Sequence, residues 1–83
     1  MMSSAQLRAA RALLGVDQRQ LAALASVSLP TIQRMEASDG NVRGNIDTLT
    51  KVVAALEAAG IELIGENSPS VQGGRGVRLK ISA

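Results

Sequence analysis

The stretch "DQRQLAALASVSLPTIQRME", Asp17 to Glu36, decides how the chain is read. Leu21, Ala22 and Ala25 keep the three-and-four spacing of an apolar helix face, but Val27 arrives too early for that register. Ser28-Leu29-Pro30-Thr31 then has the composition of a fresh helix start, and Ile32 and Met35 resume the pattern. The spacing predicts two short helices joined by a tight turn at Ser26-Val27. Asp17 is the expected N-cap of the first, Gln18 to Ala25, with Gln20 at the N3 position of a capping box. Ser28 is the expected cap of the second, which should end near Ala37. Pro30 is tolerated there because amides in the first turn have no intrahelical acceptor.

Upstream, Ser3 or Ser4 can cap a helix running to about Leu14, with Leu7, Ala10 and Leu14 on one face and Gly15 as its stop. Downstream, "SDGNVRGN" is rich in turn formers, and Asn45 can cap a fourth helix whose apolar face is read as Ile46, Leu49, Val53 and Leu56, ended by Gly60. "IELIG" then reads as a short strand and "ENSPSVQGGRG" as a linker. "GVRLKIS" alternates Val77, Leu79 and Ile81 with Arg78 and Lys80 at the period of a second strand. The two strands could pair within the chain, swap between subunits, or wait for a partner. Pairing that supports a dimer is the favoured expectation, with Val77, Leu79 and Ile81 facing the core and the basic residues facing solvent.

Composition narrows the function. A chain of 83 residues is one small domain that buries roughly 60–65% of its unfolded surface, so help from a second subunit is expected. The core must be aliphatic, since no residue is aromatic. With neither cysteine nor histidine, disulfides, thiolate or imidazole metal sites and the commonest nucleophile–base pairs are excluded. No enzyme activity, cofactor or metal is therefore expected. No apolar run approaches the roughly 20 residues of a membrane helix, and Arg8 and Arg11 interrupt the start, which argues against a secretory signal. The expectation is a soluble cytoplasmic protein without a membrane partner. Up to Glu66, six basic residues face all seven acids, while Arg75, Arg78 and Lys80 make the tail positive. A nearly neutral body matches few phosphates, so a single subunit should hold nucleic acid weakly.

Two short helices joined tightly are what a helix-turn-helix needs, the second entering the major groove by its N-terminal end. Leu21, Leu24 or Ala25, Val27, Ile32 and Met35 can form the interior between them, and Ala22 is small where they approach. The segments "LRAARALLGVDQRQLAALASVSLPTIQRME" and "LTKVVAALEAAGI", between about Gln6 and Leu63, resemble the Cro/C1-type (XRE-like) family of bacterial and phage regulators. The resemblance implies a mainly α fold: a compact four-to-five-helix bundle with the helix-turn-helix over residues 1–60. The short C-terminal β-strands and linker, residues 61–83, would be an extension serving dimerisation or partner binding. It also implies a homodimer on double-stranded DNA, with the third helix as recognition helix.

By the same resemblance Gln18 contacts a phosphate and braces the recognition helix. Ser28, Leu29, Thr31, Gln33 and Arg34 lie at or near its groove-facing end, and Arg43 lies in a second backbone-contacting loop. Arg11 and Glu36 match a buried ion pair between the first and third helices. Arg34 could read guanine through O6 and N7, Leu29 could touch a thymine methyl, and Arg19 could meet a phosphate. Three departures from the family stand out. Ser26 occupies a turn position often held by Gly, Leu29-Pro30 replaces amides that could read adenine, and Pro30 lacks an amide proton that could meet a phosphate. The expected function is a sequence-specific transcriptional regulator, most simply a repressor that occupies its operator. The rival is an antiactivator or antitoxin-like module that sequesters a regulatory protein through its apolar Leu29-Pro30 tip or a free strand edge.

Overall fold

A computed structural model describes residues 2–65 and 73–80. Four helices come first: α1 (Ser4–Leu14), α2 (Gln18–Ala25), α3 (Leu29–Glu36) and α4 (Ile46–Ala58). Strands β1 (Ile61–Ile64) and β2 (Gly76–Leu79) follow. Each helix starts where a short polar side chain can accept from an amide two or three positions on. Ser3, Asp17, Ser28 and Asn45 do so for the amides of Gln6, Gln20, Thr31 and Thr48. In α1 and α2 the bond is reciprocal, Gln6 and Gln20 returning their side-chain oxygens to the cap amides.

The ends of α1 and α2 share one geometry. Gly15 and Ser26 are left-handed (φ 69° and 56°), and the amides of Val16 and Val27 reach back to the carbonyls of Arg11 and Ala22. This Schellman closure reverses the chain within two residues, which is how α2 and α3 can be so close in sequence and still cross. For Gly15 the conformation is free of side-chain strain. Ser26 bears it, costing about 1 kcal/mol.

Leu7, Ala10, Leu21, Ala22, Ala25, Ile32 and Met35 are buried between α1, α2 and α3, joined by Leu49, Val52 and Leu56 of α4 and by Ile61 of β1. One expectation is corrected here: Ile46 is 80% exposed and Val52 is fully buried, so α4 is rotated from the face read in the sequence. Of the two alternatives for the interior of α2, Ala25 is buried and Leu24 lies on the surface.

The strands pair antiparallel within the chain, Ile61 opposite Leu79 and Ile64 opposite Gly76. The sheet lies against α1 and α4 and shares their core, because Ile61 is fully buried. Val77 packs against that core, but Leu79 is 43% exposed, contrary to the inward position expected for it. Ile81 lies outside the described residues. Gln6 completes the attachment: its side-chain amide donates to the carbonyls of Ile64 (3.0 Å) and Gly76 (2.9 Å), fastening to α1 the end of the sheet at which the connection between the strands leaves.

Candidate nucleic-acid interface

Glu36 fixes the attitude of α3. Its side chain is 4% exposed and accepts from Arg11 Nε (2.8 Å) and Nη2 (3.0 Å) and from Gln18 Nε2 (3.0 Å). Arg8 donates to its backbone carbonyl. One carboxylate thus binds α1, α2 and α3 together. Burial pushes the Glu36 carboxyl up, but hydrogen bonds from Arg11 and Gln18 and the charges of Arg11 and Arg8 outweigh it, so its pKa lies below the ordinary value. The hydrogen bond to Glu36 raises the Arg11 guanidinium in turn, against the cost of burial.

Gln18 is consequently engaged. Its side-chain amide carries two hydrogens and gives one to Glu36, and its own backbone amide, in the first turn of α2, has no intrahelical acceptor. Arg19 beside it is exposed.

At the start of α3, Ser28 is exposed and its hydroxyl lies 2.8 Å from that of Thr31, which is half-buried. Arg34 Nη2 approaches Thr31 Oγ1 at 3.5 Å, a loose contact that leaves the guanidinium available. Gln33 and Arg34 are both exposed, whereas Leu29 is half-buried. The outward stripe of the helix is Pro30, Gln33, Arg34 and Ala37, spaced three, four and seven positions apart. Pro30 lies on the surface as part of the apolar tip read in the sequence, and Ala37 joins it at the spacing that complements the buried Ile32 and Met35.

Ser38 links α3 to the loop that follows. Its hydroxyl donates to the carbonyl of Arg34 (3.1 Å) and accepts from the amide of Arg43 (3.2 Å), so Arg43 is stapled to the end of the helix with its side chain exposed. The far side of the loop is held by the N-terminal segment. The amide of Ser4 donates to Gly40 (2.8 Å), that of Val42 donates to Met2 (3.0 Å), and Met2 and Val42 are buried. Arg75 also reaches this loop, donating to Asn41 Oδ1. Neither Ser38 nor Arg75 carries a motif that would have marked it.

Among the described residues no group of three or more carboxylates could hold a metal ion, and no helix is long and apolar enough to cross a membrane. A family model described as helix-turn-helix matches residues 7–61, more than half of the 83-residue chain. A search of curated proteins finds no match.

Proposed function

The chain belongs to the Cro/C1-type helix-turn-helix family of DNA-binding regulators, and from that premise we propose that it is a sequence-specific transcriptional regulator, a repressor that occupies its operator as a homodimer. The observation that carries this reading is the exposed Gln33–Arg34 pair on a helix whose attitude is fixed by the buried Glu36 and whose end is stapled to Arg43 through Ser38. Such an element can present polar groups to base edges without paying to order them first.

In this reading Gln18, Arg19 and Arg43 hold phosphates and set the register, and base edges meet Gln33 and Arg34. Ser28 and Thr31 cap α3 and add polar contacts at its mouth. Leu29, half-buried, offers a partial apolar edge to a thymine methyl. With a nearly neutral body, each subunit neutralises few phosphates, and two subunits on a two-fold operator supply the affinity that one lacks. Cytoplasmic residence follows from this role.

The antiactivator alternative draws on the same tip, yet its proposed anchor Leu29 does not stand clear of the surface. Selection from random duplexes, followed by fluorescence anisotropy on the enriched sequence, tests the proposal. A two-fold symmetric enriched site bound far above random duplex is expected. No enrichment, with binding to every duplex at one level, would leave sequestration of a protein as the better reading.

A further inference from the structure

Helix α4 carries two faces. Leu49, Val52 and Leu56 point into the core, and a second stripe, Ile46, Thr50, Val53, Ala54 and Glu57, runs along the other side with Leu49 at its edge. Ile46 is 80% exposed, the most exposed large hydrophobic side chain described. Nothing in the fold of one chain requires an isoleucine there.

The stripe is its own complement. When two copies of α4 are laid antiparallel across a two-fold axis between Lys51 and Val52, Ile46 meets Glu57 of the second copy, Leu49 meets its Ala54, and Thr50 meets its Val53. Every residue of the stripe finds a partner that is also in the stripe, which is the condition for an isologous interface. The small Thr50 and Ala54 allow close approach of the helices. Glu57 in the last turn of one α4 comes to the N-terminal end of the other, where the helix dipole favours a carboxylate, while its methylene stem covers Ile46.

We infer that this α4 stripe is the homodimer interface, with a second copy of the chain as its occupant. The inference rests on the homodimer part of the proposed function and places the contact on α4 and not on the strands, since β2 is already paired with β1 in its own chain. A helix of 13 residues is about 20 Å long. One helix pair covers less than the roughly 1,200 Å² of a standard stable interface. The contact is therefore weak in free solution and strong on DNA, where two half-sites raise the effective concentration of the subunits.

The test is a charge exchange. Ile46→Glu removes no core contact and suits a helix N-terminus, and Glu57→Lys suits a helix C-terminus, so both variants fold. In the dimer, Ile46→Glu sets two carboxylates against each other at each end, and the double variant Ile46→Glu/Glu57→Lys turns that repulsion into an ion pair. Sedimentation equilibrium without DNA, at loadings up to about 1 mM, should show association in the parent, its loss in Ile46→Glu and its return in the double variant. On an operator with two half-sites, Ile46→Glu should bind about tenfold or more weaker and without cooperativity, and the double variant should recover. A single half-site should not distinguish the three proteins. A parent that stays monomeric at every loading, an Ile46→Glu protein that associates like the parent, or a double variant that does not recover overturns the interface. If no duplex is bound specifically but the DNA-free pattern holds, the interface stands and the operator reading falls.

Discussion

Replacing Arg11 by Met removes both donors that Arg11 gives to Glu36 and leaves a carboxylate 4% exposed, with Gln18 as its remaining side-chain donor. Breaking a buried pair from one side costs about 3–5 kcal/mol. Domains are stable by about 0.05–0.15 kcal/mol per residue, or about 4–12 kcal/mol for 83 residues. The variant should therefore lose a large part of its stability and melt at least about 12 °C lower, at roughly 4 °C or more per kcal/mol. Glu36→Met should cost less. It leaves an arginine whose side chain is already 25% exposed and whose guanidinium can turn to water. Because burial alone would push the Glu36 carboxyl up, the charge penalty in Arg11→Met should shrink as pH falls from neutral toward 4.5 and the group takes a proton.

The parent behaves in the opposite sense. Its folded carboxyl lies below the ordinary value of 4.5, so the pair's contribution is complete above that pH and is lost as pH falls through the folded pKa. The double variant Arg11→Met/Glu36→Met should regain most of the loss, since an apolar pair of similar volume avoids the unpaired charge. Urea and thermal unfolding of the four proteins between pH 4 and 7 form the assay. The reasoning is refuted if Arg11→Met lies within about 1 kcal/mol of the parent at pH 7, or if the double variant is no more stable than Arg11→Met.

Ser26→Gly should raise stability by about 0.5–1 kcal/mol by relieving the left-handed serine, read as a higher melting temperature; a lower one would mean that serine fits the turn better than its φ indicates. Gln6→Leu should cost about 2–3 kcal/mol by depriving two strand carbonyls of their donor and the Ser3 amide of its acceptor. Hydrogen exchange should then quicken first at the amides of β1 and β2, and uniform quickening would disprove a local clamp. Ser38→Ala should loosen Arg43 without unfolding α3, weakening operator and random duplex alike in anisotropy; a change in base preference would place Ser38 at a base contact instead.

The helical framework was legible because each start is marked by a capping residue, and because Val27 breaks the register between Ala25 and Ile32. The rotation of α4 was not. Ile46, Leu49, Val53 and Leu56 and the buried set Leu49, Val52 and Leu56 both keep helical spacing, and a helix with apolar residues on both sides offers no contrast by which to choose. The same ambiguity left Leu24 and Ala25 as alternatives for the interior of α2. Leu79 alternates correctly, but a four-residue strand at a sheet edge lacks a second layer to cover every inward position. At the interface, residue types drew attention to Arg34 and Arg43, whereas Gln6 and Ser38 act through backbone partners that no local pattern reveals.

Operator affinity measured across salt concentrations for the parent, Arg34→Ala and Arg43→Ala tests the central claim most directly. The account predicts that Arg34→Ala costs about 1–3 kcal/mol on the operator and relaxes preference at one base position of each half-site, with little change in salt dependence. Arg43→Ala should weaken operator and random duplex alike and lower the salt slope by about one contact per subunit. If both variants lose affinity equally for every sequence, or if neither changes any base preference, α3 does not read the operator and the account is contradicted.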